Sequence, residues 1–174
     1  DDIDSALVLL RDQGIENVIA VGGGSVMDFA KAAAVFLKDD QGRTLDSCLR
    51  NNTDEVPGEK LFFLAVPTTS GTGSEVTPFA TVWDSVKQKK YSLAGEMVFP
   101  SMALLDPELT AGLPHDVTLY SGLDVISHSL ESMWNKNSTP VSEAYALQSL
   151  RIAVESLPLV LADGADIKSR LQMQ

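Results

Sequence analysis

The chain is poor in cysteine, histidine and aromatic residues, and it has no long apolar run. A single cysteine, Cys48, in 174 residues cannot build an internal disulfide framework, so a reducing compartment and hence the cytoplasm are expected. Cys48 follows the polar "DDQGRT" with no histidine nearby in sequence, which favours a structural thiol over a nucleophile. No apolar stretch approaches the roughly 18 residues that span a bilayer, and the N-terminus has neither the basic nor the apolar region of a signal peptide. Acidic residues outnumber basic ones 24 to 13, and the net charge of −11 argues against nucleic acid or an anionic membrane as a main partner. With only two histidines, His115 and His128, this stretch can give a metal few imidazoles.

What is present reads as α/β. "DIDSALVLLRDQG" carries apolar residues at Ile3, Ala6, Leu7 and Leu10, a helical stripe ending at Gly14. "IENVIAV" predicts a short buried strand, "GGGSVMDFAKAAAVFL" a Gly-rich turn opening a helix, and "LFFLAV" a second buried strand. The polar segment between them, with turn signals at Asn51-Asn52 and Pro57-Gly58, can hold one short helix around Leu45 to Leu49. "TPFATVWDSVKQKKYSLA" predicts a hairpin or extended lobe, and "FPSMALLDPEL" a further strand ended by Asp106-Pro107. Beyond "GLPHD", Val117–Asn135 and Pro140–Leu161 read as long helices, and "DIKSRLQMQ" starts another. The expectation is a parallel-sheet part over residues 1–110 and an all-helical part over 111–174. Only two or three parallel strands are visible, where an open sheet has about five or six, so a piece of a larger protein is expected.

Three features can carry chemistry. Gly22, Gly23, Gly24 and Ser25 join a strand to a helix, where backbone amides favour an anion and glycines allow close approach. The pattern is neither G-x-G-x-x-G nor a Walker loop, and a tight turn without a ligand is the competing reading. Asp28 falls in the first turn of that helix and suits its dipole; it would repel a phosphate and should meet a neutral or hydroxyl-bearing group. Lys31, one turn on, can simply be solvated. The second feature, "PTTSGTGSEVT", offers the hydroxyls of Thr68, Thr69, Ser70, Thr72 and Ser74, with Gly71 and Gly73 free to adopt unusual dihedrals. Two such loops, each beyond a buried strand, could converge on a diphosphate.

The third feature is "SGLDVISHSLE". Asp124 and His128, four apart, project from one helix face, as a divalent metal or a plain i, i+4 hydrogen bond would require. Glu131 is a candidate further ligand or supporting group. His115, just before the helix, reads as a surface or capping residue. Two ligands fall short of the three or four a metal site normally needs.

Taken together and in this order, "AVGGGSVMDFAKA", "VPTTSGTGSEVT", "LLDPELTAGLP" and "GLDVISHSLE" resemble the iron-containing (group III) alcohol dehydrogenase family over essentially the whole chain. The resemblance implies an N-terminal α/β domain binding NAD or NADP, a C-terminal helical domain carrying the metal, and an active site between them. It implies that Gly22 to Ser25 touch the cofactor pyrophosphate and that Asp28 lies toward the nicotinamide. Thr68, Thr69 and Thr72 would line the cofactor, Lys90 of "KQKKYSL" would contact it, and Leu109 would sit on its adenosine side. Asp124 and His128 become the catalytic metal ligands, for Fe²⁺ or alternatively Zn²⁺. The activity implied is hydride transfer between the nicotinamide and a small alcohol or aldehyde, with the ion as Lewis acid.

The family holds its metal by one Asp and three His, so two ligands are expected beyond Gln174, and the N-terminal strands before Asp1. This stretch alone is therefore expected to lack dehydrogenase activity and to hold metal weakly or not at all, and the full-length protein is expected to be a homo-oligomer. Trp134 and Asn135, in "SMWNKNSTPVSEAYAL", point to a subgroup that reduces small functionalised aldehydes such as phosphonoacetaldehyde, or else reflect packing variation on the helix. The alternatives are a dehydroquinate-synthase-like NAD and metal cyclase, and a non-catalytic nucleotide-binding remnant.

Overall fold

The computed structural model describes residues 2–51, 57–85 and 87–174. The chain divides into two compact units, one of Asp1–Pro67 with Gly73–Leu104, the other of Thr68–Thr72 with Leu105–Gln174.

In the first unit the elements run α1 (Asp2–Arg11), β1 (Asn17–Gly22), α2 (Gly24–Phe36), α3 (Leu45–Asn51), β2 (Phe62–Pro67), β3 (Phe79–Asp84), β4 (Lys89–Ala94) and β5 (Met102–Ala103). Strands β1, β2 and β5 form a parallel sheet with β2 in the centre, Ala65 pairing with Ala20 on one side and Ala103 on the other. The expected strand of "FPSMALLDPEL" shrinks to two ladder residues, although the amides of Ser101 and Leu104 also donate to the carbonyls of Phe63 and Ala65. It stops there because Asp106 accepts from the amide of Glu108 and, with Pro107, opens a 3-10 turn over Pro107–Thr110.

Helix α2 is buried on every side over its C-terminal half, Ala30–Phe36, which is why that half is apolar apart from Lys31. Its Met27, Ala30 and Ala34 pack on Ala20, Phe63 and Ala65 of the sheet. Its Ala32, Ala33, Val35 and Phe36 pack on Leu7 of α1, Leu45 and Cys48 of α3, and Ala80 and Leu93 of the hairpin. Burying side chains the size of Phe36 or Val35 contributes about 1.5–3 kcal/mol each. Helix α3 lacks an apolar stripe long enough to hold itself, and Asp4 on α1 supports it by accepting from the amides of Leu45 and Asp46 at 2.9 and 3.0 Å. Cys48 is buried there, and burial pushes its thiol pKa up, as a structural cysteine requires. The expected hairpin is an antiparallel β3–β4 pair in which Trp83 faces Lys90; Val86 in its turn and Asn52 of the other turn signal lie outside the described residues.

The second unit is helical after Pro114: α4 (His115–Trp134), α5 (Pro140–Ala162) and α6 (Ile167–Met173). "STPVSEA" starts α5 with a capping box, in which the amide of Ser142 donates to Thr139 Oγ1 at 3.1 Å and the amide of Thr139 to Ser142 Oγ at 2.9 Å. Helices α4 and α5 approach closely at Gly122, where any β-carbon would collide with Leu157.

Candidate functional site

The first candidate element is the turn from β1 into α2. Gly23 caps the helix and offers it no side-chain hydrogen bond, and no acidic residue occupies the first turn. That corrects the expected position of Asp28: the helix begins at Gly24, which puts Asp28 in the second turn. Gly22 has a packing reason to be glycine, since a β-carbon there would lie 2.7 Å from Val26. The result is a bare helix N-terminus, with Ser25 exposed beside it.

Asp28 and Lys31 both face the hairpin. Asp28 accepts from Ser74 Oγ at 2.7 Å and from the amide of Thr81 at 3.0 Å. Lys31 is not solvated, as its charge had suggested, but fully buried. Its Nζ donates to the carbonyls of Phe79 at 2.6 Å and Thr77 at 2.9 Å, and to Thr77 Oγ1 at 3.3 Å. Three donors meet three acceptors, which is what makes a buried ammonium tolerable. Burial still lowers its pKa from 10.5 to about 8, although the charges of Asp28 and Glu75 pull it up. Sequence inspection missed Lys31; the available signal was a lone charge in an otherwise apolar "FAKAAAVF". Lys90 is exposed on β4, with its ammonium 5.9 Å from the centroid of the Trp83 ring.

In the second unit, the loop Thr68–Thr72 lies on α4. Gly71 has φ +101°, and a β-carbon there would overlap the carbonyl oxygen of Ser121 and approach Val125 at 3.1 Å. Thr72 is exposed and Thr68 and Thr69 half-buried. Ser121 is one turn before Asp124, so the small-residue loop rests on the helix that carries the acid–imidazole pair.

Asp124 and His128 do share a face of α4: Nε2 of His128 is 3.5 Å from Oδ1 of Asp124, and both side chains are about half exposed. One carboxylate oxygen and one imidazole nitrogen suit a divalent transition metal. They suit it in kind but not in number, since among the described residues no group of three or more His, Cys, Asp or Glu converges. Glu131 does not join them; it accepts from Ser127 Oγ at 3.3 Å. His115 is exposed at the start of α4, 3.5 Å from Asp116. Leu109 is exposed on the 3-10 turn. Among the described residues no helix is long and apolar enough to cross a membrane.

A parallel sheet whose strand ends lead into Gly- and Thr-rich loops, followed by a helical unit bearing an Asp–His pair, defines the class: an α/β unit continued by an all-helical one. Comparison with known proteins makes this specific. Residues 1–107 match the family model for iron-containing alcohol dehydrogenase, and residues 118–174 that for the C-terminal part of the Fe-containing alcohol dehydrogenase family. The chain belongs to the iron-containing alcohol dehydrogenase family. It is 36% identical over 173 residues to the probable alcohol dehydrogenase EutG of Escherichia coli (strain K12), covering 99% of this chain and 42% of that protein. It is 38% identical over 179 residues to the phosphonoacetaldehyde reductase of Streptomyces viridochromogenes, covering all of this chain and 45% of that one. The sulfoacetaldehyde reductase of Bifidobacterium kashiwanohense, solved in complex with NAD⁺, superposes with a TM-score of 0.91 at 32% identity, over 99% of this chain and 45% of that one. The chain thus spans less than half the length of these relatives.

Proposed function

We propose that these residues form the middle of an NAD(P)-dependent, metal-assisted oxidoreductase that transfers hydride between the nicotinamide and a small alcohol or aldehyde. The observation that carries this reading is the seat of Gly71 against Ser121, which ties the Thr68–Thr72 loop to the helix of Asp124 and His128. A loop fit to line a cofactor and a pair fit to hold a metal are thereby built as one piece. Residues 1–110 are the C-terminal part of the cofactor domain in this reading, and 111–174 the first part of the metal domain.

The bare N-terminus of α2, at Gly22 to Ser25, binds the cofactor diphosphate through backbone amides and the helix dipole. Thr68, Thr69 and Thr72 offer hydroxyls to the cofactor, Lys90 reaches it with its ammonium, and Leu109 gives an apolar contact at the adenosine end. Asp28 lies on the nicotinamide side. Asp124 and His128 supply two ligands of a four-ligand set, the others coming from chain outside these residues. A divalent ion held there, Fe²⁺ or Zn²⁺, supplies Lewis acidity toward a substrate oxygen. The protein's own part is to orient the two reactants and exclude water. The full-length protein is a cytoplasmic homo-oligomer in this proposal. Of the three functional expectations, the dehydrogenase is the one the family match supports.

The test uses the full-length protein loaded with Fe²⁺ or Zn²⁺. NADH and NADPH binding is followed by fluorescence, then turnover with short plain aldehydes, phosphonoacetaldehyde, sulfoacetaldehyde and the matching alcohols. Reversible, metal-dependent conversion with one dinucleotide supports the proposal. A protein that binds neither dinucleotide, or that turns over equally well after chelation, refutes it.

A further inference from the structure

The outer edge of β3 is not bare. A strand edge presents carbonyls and amides that must be paired or hydrated. The carbonyl of Phe79 and the amide of Thr81, two residues apart and so on the same edge, both point away from β4 and toward α2. Lys31 donates to the first at 2.6 Å, where a neighbouring strand would place an N–H. Asp28 accepts from the second at 3.0 Å, where a neighbouring strand would place a carbonyl. Two side chains of one helix thus stand in for a missing strand. Their remaining bonds, Lys31 to Thr77 and Asp28 to Ser74, hold the turn that leads into the hairpin.

We propose that Lys31, working with Asp28, is a positioning residue: it latches the β3–β4 hairpin to α2 and so fixes Lys90 relative to the Gly22–Ser25 helix N-terminus. This rests on the reading that the N-terminus of α2 holds the cofactor diphosphate and that Lys90 touches the cofactor. The register makes the link short. The latch grips β3 at Phe79 and Thr81; Trp83 follows two residues later, pairs with Lys90 across the ladder and lies under its ammonium. Helix α2 carries the anion site at one end and the latch one to two turns further along. Diphosphate site and lysine are therefore mounted on two elements joined by five hydrogen bonds to two side chains, beside the apolar cluster that α2 shares with Ala80 and Leu93. The lysine is more than core filling, because a methionine would occupy the same space without gripping the strand.

The test is a double-mutant cycle in the full-length, metal-loaded protein, read as the dissociation constant of NADH or NADPH. Lys31→Met is expected to weaken cofactor binding about tenfold, with kcat at saturating cofactor changed less than about twofold, and Lys90→Ala to weaken binding by a comparable factor. Because Lys31 acts through Lys90, the double variant should be no weaker than the poorer single one. Losses that multiply, or a Lys31→Met affinity within about twofold of wild type, overturn the proposal. Should Lys31→Met fail to fold, Ser74→Ala, which removes one bond to Asp28, takes its place in the same cycle and is judged by the same criterion. Gly23→Val and Lys90→Ala guard the underlying reading: if neither alters cofactor affinity, that reading fails, whatever Lys31→Met does.

Discussion

Gly71 meets the backbone carbonyl of Ser121 so closely that no β-carbon fits between them. Its φ of +101° is also outside the range that an L side chain adopts without strain. Gly71→Ala should therefore cost about 2–4 kcal/mol, from backbone strain and forced displacement together. Gly73→Ala is the control. Gly73 also has a positive φ, +60°, but a β-carbon there would meet only Thr77 Cγ2, at an ordinary contact distance of 3.8 Å, and its substitution should cost about 1 kcal/mol. Urea unfolding of the full-length variants checks the difference. Equal losses would mean that the contact with α4 contributes nothing beyond the dihedral.

The Asp124–His128 pair leads to a second expectation. At 3.5 Å and half exposed, the pair gains little from its own attraction, so its placement is not explained by stability. Asp124→Ala or His128→Ala in the full-length protein should lower metal affinity by more than the about 10–100-fold typical of losing an outer-shell partner. Cofactor affinity should stay within about twofold and the unfolding midpoint of the metal-free protein nearly unchanged. Metal analysis and NADH titration check both; a variant that keeps stoichiometric metal would remove that residue from the ligand set.

The reach of sequence reasoning follows the range of the interactions. Helices α1, α2, α4 and α5 were legible because local periodicity decides them, and strands β1 and β2 as apolar runs, although β1 is not the buried strand expected: Ile19 and Val21 are exposed. Asp124 and His128 were legible because four-residue spacing is a property of one helix. Lys31 was not, because its burial depends on acceptors at Thr77 and Phe79, more than 40 residues away in sequence. The need for glycine at Gly71 was visible only as flexibility, since its partner Ser121 lies 50 residues on.

Asp39 gives an acid-dependent prediction. Its buried carboxylate takes the Arg43 guanidinium at 2.6 Å and the Arg43 amide at 2.7 Å. Burial pushes its pKa up, but the Arg43 hydrogen bonds and the charges of Arg43 and Arg11 outweigh that and hold it below the usual 3.8. A depressed carboxyl contributes stability that is present above the unfolded value and lost as pH falls through the folded one. Asp39→Asn should cost about 1–2 kcal/mol near neutrality, partial exposure of Arg43 screening the pair. The gap between wild type and variant should close in acid below the ordinary aspartate range. A gap that persists there would assign the loss to packing.

Lys31 titrates in the opposite direction and at the other end of the scale. Burial lowers its folded pKa to about 8, against 10.5 for the ordinary side chain. Between those values the unfolded chain holds a proton that the folded chain has released, so stability rises with pH across that window and is flat on either side. The charged groups facing the ammonium are Asp28 on α2 and Glu75 on the turn before the hairpin, and both pull its pKa up against the effect of burial. Other groups do titrate in this range, so the informative quantity is wild type minus Lys31→Met. Measured as urea midpoints of the full-length protein at about pH 7.5 and about pH 9.5, that difference should move in favour of wild type at the higher pH. A difference that does not change with pH would mean that the buried lysine keeps its proton, because its three acceptors outweigh the cost of burial.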